Sequence, residues 1–589
     1  MYNVTIDSRE VSVQRGSTIL DAARSAGITI PTLCHLEGKT PIGACRVCLV
    51  EVTGAKSLLA ACSTPVSDGM EVYTKSKKVR DARRTVVELL LSEHEGDCQY
   101  CERSEDCELK NLAYSLGIRE KVYQGDKARR QYDETTPALV RDTGKCIKCR
   151  RCVSVCKEVQ NVGAIAAQNR GFATVIGPAF TMGLDTIPCV QCGQCAAVCP
   201  VGAITERSHI DSVWEALDDP QKHVVVQTAP AIRAALGECF GYPPGTLVTG
   251  KMTTALRQLG FNAVFDTNFA ADLTIMEEGT ELLMRLKSIL QDKKDAPLPQ
   301  FTSCSPGWIK YAEYYYPELL PNISTCKSPQ QMFGSLAKSY YAQKIGIAAE
   351  NIVVVSVMPC TAKKFEAQRA EMNDSGVRDV DFVLTTRELG TMIKGAGIDF
   401  DILEDSAMDA PLGISSGAAD IFANTGGVME AAIRTAYEIV TGKEVPFEKM
   451  HITSISGLDG VKEAALTING TLPQWSFLEG VELKVAVAHG LANASAVIER
   501  IQKNEADYHF VEIMTCPGGC IGGGGQPRMT DDSVRQKRIE AIYREDESKV
   551  LRKSHNNPDI QTLYKEYLKE PLSKKSHHLL HTTYQKREV

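Results

Sequence analysis

The sequence predicts a multidomain chain of mixed α+β and α/β character, with small cysteine-rich modules ahead of one larger α/β domain. Three observations carry this. Fifteen of the 21 cysteines lie within the first 200 of 589 residues. The opening stretch alternates apolar and polar residues, as a small half-buried sheet does. Beyond about residue 210 cysteines become sparse, and strand-like runs ("HVVVQTAP", "NAVFDT", "NIVVVSVMPC", "LKVAVAHG", "YHFVEIMTC") alternate with helical ones, the pattern of an α/β fold.

The bulk properties exclude several classes. A hydrophobic content of 43% and a charged content of 24% are those of an ordinary soluble protein large enough for several cores. A net charge of -7 over 589 residues lacks the concentrated basic face that a nucleic-acid partner requires. The N-terminus MYNVTIDSRE shows no secretory pattern, and no apolar run reaches the length of a membrane span. The expectation is a soluble, cytoplasmic protein. In that setting clustered cysteines at C-x2-C spacing point to metal rather than to disulfides.

The first module, expected over residues 1–78, opens with a hairpin turning at Asp7-Ser8, followed by a helix in "STILDAARSAG". Cys34, Cys45, Cys48 and Cys62 then follow at C-x10-C-x2-C-x13-C. This extends the simple plant-type 2Fe–2S spacing, and the small residues of "IGAC" let backbone N–H groups approach sulfur. A zinc site is the alternative, but zinc usually pairs two short C-x2-C knuckles.

The second module, expected over 79–126, begins with a helical stretch and ends in His94, Cys98, Cys101 and Cys107. One imidazole and three thiolates suit tetrahedral zinc. Between two other iron–sulfur modules they suit a 4Fe–4S cluster better, and the neutral imidazole removes one negative charge and raises its potential.

The third module, expected over 127–209, contains an internal repeat. Cys146, Cys149, Cys152 and Cys156 form C-x2-C-x2-C-x3-C, and Cys189, Cys192, Cys195 and Cys199 repeat it 43 residues later. In this two-cluster ferredoxin pattern the fourth cysteine of each run ligates the other cluster. Cys146, Cys149, Cys152 and Cys199 therefore form one set, and Cys189, Cys192, Cys195 and Cys156 the other. Four centres in series make a path for single electrons, which must lead to chemistry.

That chemistry is expected in residues 210–589. Three loops stand out: "TSCSPGW" (302–308), "MPCTAKKFE" (358–366) and "EIMTCPGGCIGGGGQP" (512–527). They supply Cys304, Cys360, Cys516 and Cys520. The glycines of the last loop call for close backbone approach or positive φ. Charges from about residue 535 onward read as a solvated face of surface helices. Cys239 and Cys326 read as structural thiols, and His223 and His489 as ordinary structural histidines.

These three loops resemble the signature motifs of the iron-only hydrogenases, and the upstream modules resemble that family's long form with four accessory clusters. The resemblance covers essentially the whole chain. It implies a β-grasp 2Fe–2S ferredoxin domain, a histidine-ligated 4Fe–4S domain, a dicluster ferredoxin domain and an α/β H-cluster domain with a small-subunit-like segment from about 530. The implied cofactors are one 2Fe–2S cluster, three accessory 4Fe–4S clusters and the H-cluster, a 4Fe–4S cubane joined to a di-iron unit bearing CO, CN and a dithiolate. The implied reaction is 2H⁺ + 2e⁻ ⇌ H₂, with ferredoxin or a similar low-potential carrier as electron partner and dedicated maturation proteins for the di-iron unit.

Residue by residue, the resemblance makes Cys360, Cys516 and Cys520 cubane ligands, with Cys520 the bridge to the di-iron unit. It makes Lys363 a cyanide partner, and Met358, Met514, Pro230 and Ala231 walls of the pocket. Ala231 stands where some relatives carry serine. A proton route runs from Cys304 through Glu278 and Ser324 to Glu281, the two glutamates lying three apart on one helix face. Buried carboxylates with raised pKa pass protons near neutral pH.

Ser305 departs from the pattern, which commonly reads T-S-C-C-P. The first cysteine there is the proton donor and the second the fourth cubane ligand, so Cys304 takes the first role and Ser305 the second. An alcohol is less acidic than a thiol and a harder match for iron. Ser305 ligates or leaves one iron open, or Cys304 shifts to become the ligand, or the change is deliberate. The substitution also raises three further readings: a hydrogen sensor, an electron-relay subunit like those of complex I, and a cluster-assembly scaffold. The complete loop set with Lys363, Glu278 and Glu281, and the lack of a signalling domain, favour the enzyme.

Overall fold

The computed structural model describes residues 1–125, 127–528 and 530–588. The hairpin at the start pairs Tyr2–Ile6 with Arg9–Val13, turning through Asp7 and Ser8, both at positive φ. These strands join Glu71–Tyr73, Leu49–Val52 and Leu59–Ala60 in a five-stranded sheet. The helix Ile19–Ser25 starts at Thr18 with a reciprocal capping box to Asp21. It buries Ile19, Leu20, Ala22 and Ala23 in the same small core as Val4, Ile6 and Val50.

A 17-residue helix, Lys77–Glu93, leads out of this sheet and ends at His94. In the third module the internal repeat is visible in the backbone. Lys148 and Arg150 of the first run are left-handed, and so are Gln191 and Gly193, each 43 residues later. The same spacing thus winds the same loop twice.

The larger domain contains two parallel sheets. One runs Ala263–Asp266, His223–Thr228, Ile352–Met358 and Phe382–Thr385, every neighbouring pair parallel. The other runs Gln300–Phe301, Phe510–Met514 and Glu482–His489, also parallel, with Val461–Thr467 added antiparallel at the edge. Their central strands are near-continuous apolar runs because both faces are covered. The 24-residue helix Thr267–Leu290 bridges the two cores, with Leu273 in one and Leu282 and Leu283 in the other.

The C-terminal charges meet the expectation of a solvated face only in part: Lys537, Glu540, Arg544, Lys565 and Glu566 are exposed, but two others are not. Arg538 is fully buried, paired with Glu238 at 2.7 Å and donating to the Ile521 carbonyl at 2.7 Å. Asp546 is equally buried between Arg434 at 2.9 Å and Arg552 at 2.6 Å. Their helix, Asp532–Ser548, lies against backbone at Gly245 and Gly417, where a Cβ would fall 2.4 Å from the Lys537 carbonyl oxygen and 2.0 Å from Asp546. Charge patterning reports composition; whether a face is wet depends on what packs on it. Among the described residues, no helix is long and apolar enough to cross a membrane.

Candidate active site and electron path

The 21 cysteines are all free thiols, and most gather in groups. Cys34, Cys45, Cys48 and Cys62 are buried against one another, with the backbone N–H groups of Ala44 and Cys45 turned toward the Cys34 sulfur. His94, Cys98, Cys101 and Cys107 line a second cavity. The His94 Nδ1 is taken by the Lys145 carbonyl at 2.9 Å, which leaves Nε2 as the free donor atom. Gly202 keeps this cavity open, since a Cβ there would stand 2.9 Å from the Cys101 sulfur.

Cys146, Cys149, Cys152 and Cys199 line a third cavity. Cys156 stands beside Cys189 and Cys195, and Cys192 has both Cys195 and Cys516 as neighbours. Burial raises the thiols of Cys152, Cys192 and Cys195 well above their usual range. Several unpaired, desolvated thiols converging without disulfides are what a cluster site presents when its thiolates must be neutralised by iron.

In the larger domain the three loops leave the C-terminal ends of parallel strands, where α/β folds place their sites. Met358 and Met514 end two of these strands and are buried. Cys360, Cys516 and Cys520 follow them and are mutual neighbours; burial pushes Cys520 up to about 12. The glycines of the last loop serve close approach to protein. Gly523 lies against the Pro359 carbonyl and Gly524 against the Cys192 carbonyl, where a Cβ would be 2.1 and 2.3 Å away. Gln194 donates to the Gly522 carbonyl at 2.9 Å, Gln160 to the Thr515 carbonyl at 3.0 Å, and Thr361 to the Gln191 carbonyl at 2.7 Å. The dicluster module is thereby bolted onto the loops carrying Cys360 and Cys516.

Pro230 and Ala231 follow the strand His223–Thr228 and are buried, the Ala231 carbonyl accepting from Gln526 at 3.2 Å. Lys363 donates to the Cys304 carbonyl at 3.1 Å and pairs with Glu366 at 2.9 Å. Ser305 and Cys304 face different ways. The Ser305 hydroxyl meets the Thr515 hydroxyl at 2.7 Å and accepts the Thr515 N–H at 3.2 Å, next to Cys516. The Cys304 thiol, raised by burial, has Glu278, Cys520 and Lys363 as its charged neighbours.

Glu278 is buried and pushed up to about 8 by burial and then by the nearby Glu281. One of its oxygens accepts the Ser303 N–H at 3.3 Å, and the Ser324 hydroxyl stands beside the carboxyl. Ser324 donates to Glu281 at 2.8 Å, and Arg285 holds Glu281 from the outer side at 2.7 Å. Cys304, Glu278, Ser324 and Glu281 thus lie in one file leading outward.

Sequence reasoning missed several residues here. Glu277 looks like half of an acidic pair, yet it is fully buried. It accepts from Tyr564 at 2.6 Å, from the Leu572 N–H at 2.9 Å and from Ser576, and sits 3.1 Å from His581. Lys310 is buried over the Phe365 ring at 4.3 Å, near Cys189, and burial lowers it to about 8. Gln160 and Gln194 occupy spacer positions that carry no motif.

Comparisons with known proteins match the chain in five stretches. Residues 222–524 match the family "Iron only hydrogenase large subunit, C-terminal domain", and 532–587 match "Iron hydrogenase small subunit". Residues 1–77 match a 2Fe–2S cluster binding domain, 83–121 the iron–sulfur binding region of NADH-ubiquinone oxidoreductase-G, and 145–203 a 4Fe–4S dicluster domain. The chain is 51% identical over its full length to 99% of the NADP-reducing hydrogenase subunit HndD of Solidesulfovibrio fructosivorans, and 42% identical over full length to all of Iron hydrogenase 1 of Clostridium pasteurianum. Protein NAR1 of Arabidopsis thaliana is 34% identical over 64% of the chain and 81% of that protein. An apo iron-only (FeFe) hydrogenase structure from Chlamydomonas reinhardtii superposes with a TM-score of 0.59 at 46% identity, covering 65% of this chain and all of that one. The chain belongs to the iron-only hydrogenase family, carrying the large- and small-subunit regions in one polypeptide behind its iron–sulfur domains.

Proposed function

We propose that the chain interconverts protons and hydrogen, 2H⁺ + 2e⁻ ⇌ H₂, at the three loops of the larger domain. The observation that carries this is the meeting of two paths at one place. Thiol groups run from Cys34 to Cys192, which neighbours Cys516, and the file from Glu281 to Cys304 ends beside Cys520. Electrons and protons need to arrive together for this reaction and for few others.

In this reading Cys34, Cys45, Cys48 and Cys62 hold a 2Fe–2S cluster, and His94, Cys98, Cys101 and Cys107 hold a 4Fe–4S cluster. The crossed cysteine sets hold two more. The domain limits follow as 1–78, 79–126, 127–209 and 210–589. Cys360, Cys516 and Cys520 hold the H-cluster, which when bound supplies the metal centre at which protons and electrons combine.

The chain's own residues do the rest. Lys363 offers an ammonium to a buried anionic ligand. Met358, Met514, Pro230 and Ala231 keep water out. Glu278, mostly protonated at pH 7, delivers a proton toward Cys304 and is recharged through Ser324 from Glu281. Ser305, on the Cys516 side, takes the fourth ligand position, and Cys304, on the Glu278 side, keeps the proton-donor position.

The electron partner is ferredoxin or a similar low-potential carrier. Full-length similarity to a protein named as an NADP-reducing hydrogenase subunit supports a second reading, in which a pyridine-nucleotide-reducing subunit docks instead. Assembly of the di-iron unit calls on maturation proteins. Infrared spectroscopy of the anaerobically matured protein tests the central reading: CO and CN bands that shift reversibly with H₂ support it, and their absence after confirmed maturation refutes it.

A further inference from the structure

The outer end of the proton file holds a convergence that proton passage does not require. Ligating atoms of Glu281, Cys326 and His581 all lie within 4.8 Å of one another. They come from three separate elements: the helix Thr267–Leu290, the stretch after residue 323, and the residue following the helix Lys574–Leu580. Backbone fixes their approach. Cys326 and His581 form an antiparallel bridge, flanked by Lys327 N–H to the Leu580 carbonyl at 2.8 Å and Thr582 N–H to the Thr325 carbonyl at 2.7 Å. Cys326 is fully buried, His581 nearly so, and Glu281 partly open.

A thiolate, an imidazole and a carboxylate together suit a borderline-soft divalent cation of the zinc class. Tetrahedral zinc holds such atoms roughly 3.3–3.6 Å apart, so contraction of about 1 Å between side chains completes the set. The imidazole is already oriented for it. His581 Nε2 faces the buried Glu277 carboxylate at 3.1 Å, and Nδ1 meets the Thr325 hydroxyl at 2.8 Å. A proton on Nε2 held by Glu277 leaves Nδ1 a lone pair, the carboxylate–histidine arrangement that supports a metal-bound ring. The Thr325 hydroxyl can rotate away. Arg285, bonded to Glu281, opposes a cation here, as does His577 when protonated, its ring centroid 4.3 Å from that of His581.

We propose that Glu281, Cys326 and His581 form a binding site for a zinc-class divalent cation, with a fourth position left to water. Binding releases the Cys326 thiol proton to solvent as the S–metal bond forms. Because Glu281 also accepts from Ser324, occupation draws its carboxylate from the proton file and stops turnover. That consequence, unlike the site, rests on the proton route proposed above.

The test adds one equivalent of Zn²⁺ to the matured holoenzyme and records zinc K-edge absorption alongside hydrogen evolution. One sulfur at about 2.3 Å with nitrogen or oxygen neighbours at about 2.0–2.1 Å is expected, with turnover lost and restored by a chelator. Cys326→Ala removes the sulfur shell and raises the inhibitory zinc concentration at least tenfold. Its turnover without zinc reports intact folding, since the bonds from Ser303 and Tyr584 go to the Cys326 carbonyl, which alanine retains. His581→Gln, with its own zinc-free control, removes a nitrogen neighbour and weakens binding similarly. A sulfur-free shell, a shell of several sulfurs, or equal inhibition of parent and Cys326→Ala overturns the site. Zinc bound in the expected shell with turnover undiminished upholds the site and counts against the proton route instead.

Discussion

Replacing Glu278 by glutamine separates what this residue does for the reaction from what it costs the fold. Burial raises its carboxyl from about 4.5 to about 8. Below about pH 4.5 native and unfolded chains both hold the proton, and the group leaves stability unchanged. Between pH 4.5 and 8 the unfolded chain releases it and the native chain keeps it, so stability falls by about 1.4 kcal/mol per pH unit. The deficit is about 3 kcal/mol at pH 7 and levels off near 5 kcal/mol above pH 8. Glutamine is isosteric and neutral. Its oxygen keeps the Ser303 N–H bond, and its amide can donate to the Ser324 hydroxyl oxygen beside it. Glu278→Gln is therefore expected to be more stable than the parent at pH 7, by up to about 3 kcal/mol, and nearly indifferent to pH. Hydrogen evolution should fall about 10²–10⁴-fold, the usual worth of a positioned proton carrier. Anaerobic urea midpoints from pH 5.5 to 8, with evolution rates on the same samples, give both numbers. A variant within threefold of parental activity, or one whose stability falls with pH as steeply as the parent's, refutes the reasoning.

Three other substitutions probe separate features. Ser305→Cys supplies a fourth thiolate beside Cys516 and should change the Mössbauer parameters of one cubane iron pair; unchanged spectra would mean that Ser305 does not face the cluster. His94→Cys adds a negative charge to its site and should lower that cluster's reduction potential with the cluster retained, as followed by EPR redox titration. Glu277→Gln weakens four contacts to the C-terminal segment and should cost about 2–5 kcal/mol. Hydrogen exchange over 558–587 should accelerate while the N-terminal sheet stays as protected as before.

Most of the fold was legible because it follows from local rules. The cysteine spacings give the modules, the apolar runs become the buried parallel strands, and the reactive loops follow those strands because α/β folds leave their strand ends open. Contact between distant surfaces was not legible. The sequence gives Glu277 and Glu278 the same letter side by side, yet a helix turns them about 100° apart. Glu278 meets Ser303 and Cys304, and Glu277 meets Tyr564, Leu572 and Ser576, nearly 300 residues away. Arg538 and Asp546 misled for the same reason: their partners Glu238 and Arg434 lie more than a hundred residues upstream. Gln160 and Gln194 are ordinary spacer residues until the dicluster module meets the H-cluster loops.

The fastening at Glu277 also bears on how the segment 532–587 is kept in place. Four contacts to one carboxylate are a modest anchor for an independent peptide, since association from dilute solution must first repay lost translational and rotational freedom. Here that cost is small, because the segment is part of the chain it docks on, and a short connection keeps it at an effective concentration of about millimolar. Were the same two regions separate polypeptides, the interface alone would have to provide the affinity. Joining them makes assembly first order, independent of cell concentration, and guarantees one copy of the segment for every catalytic domain made.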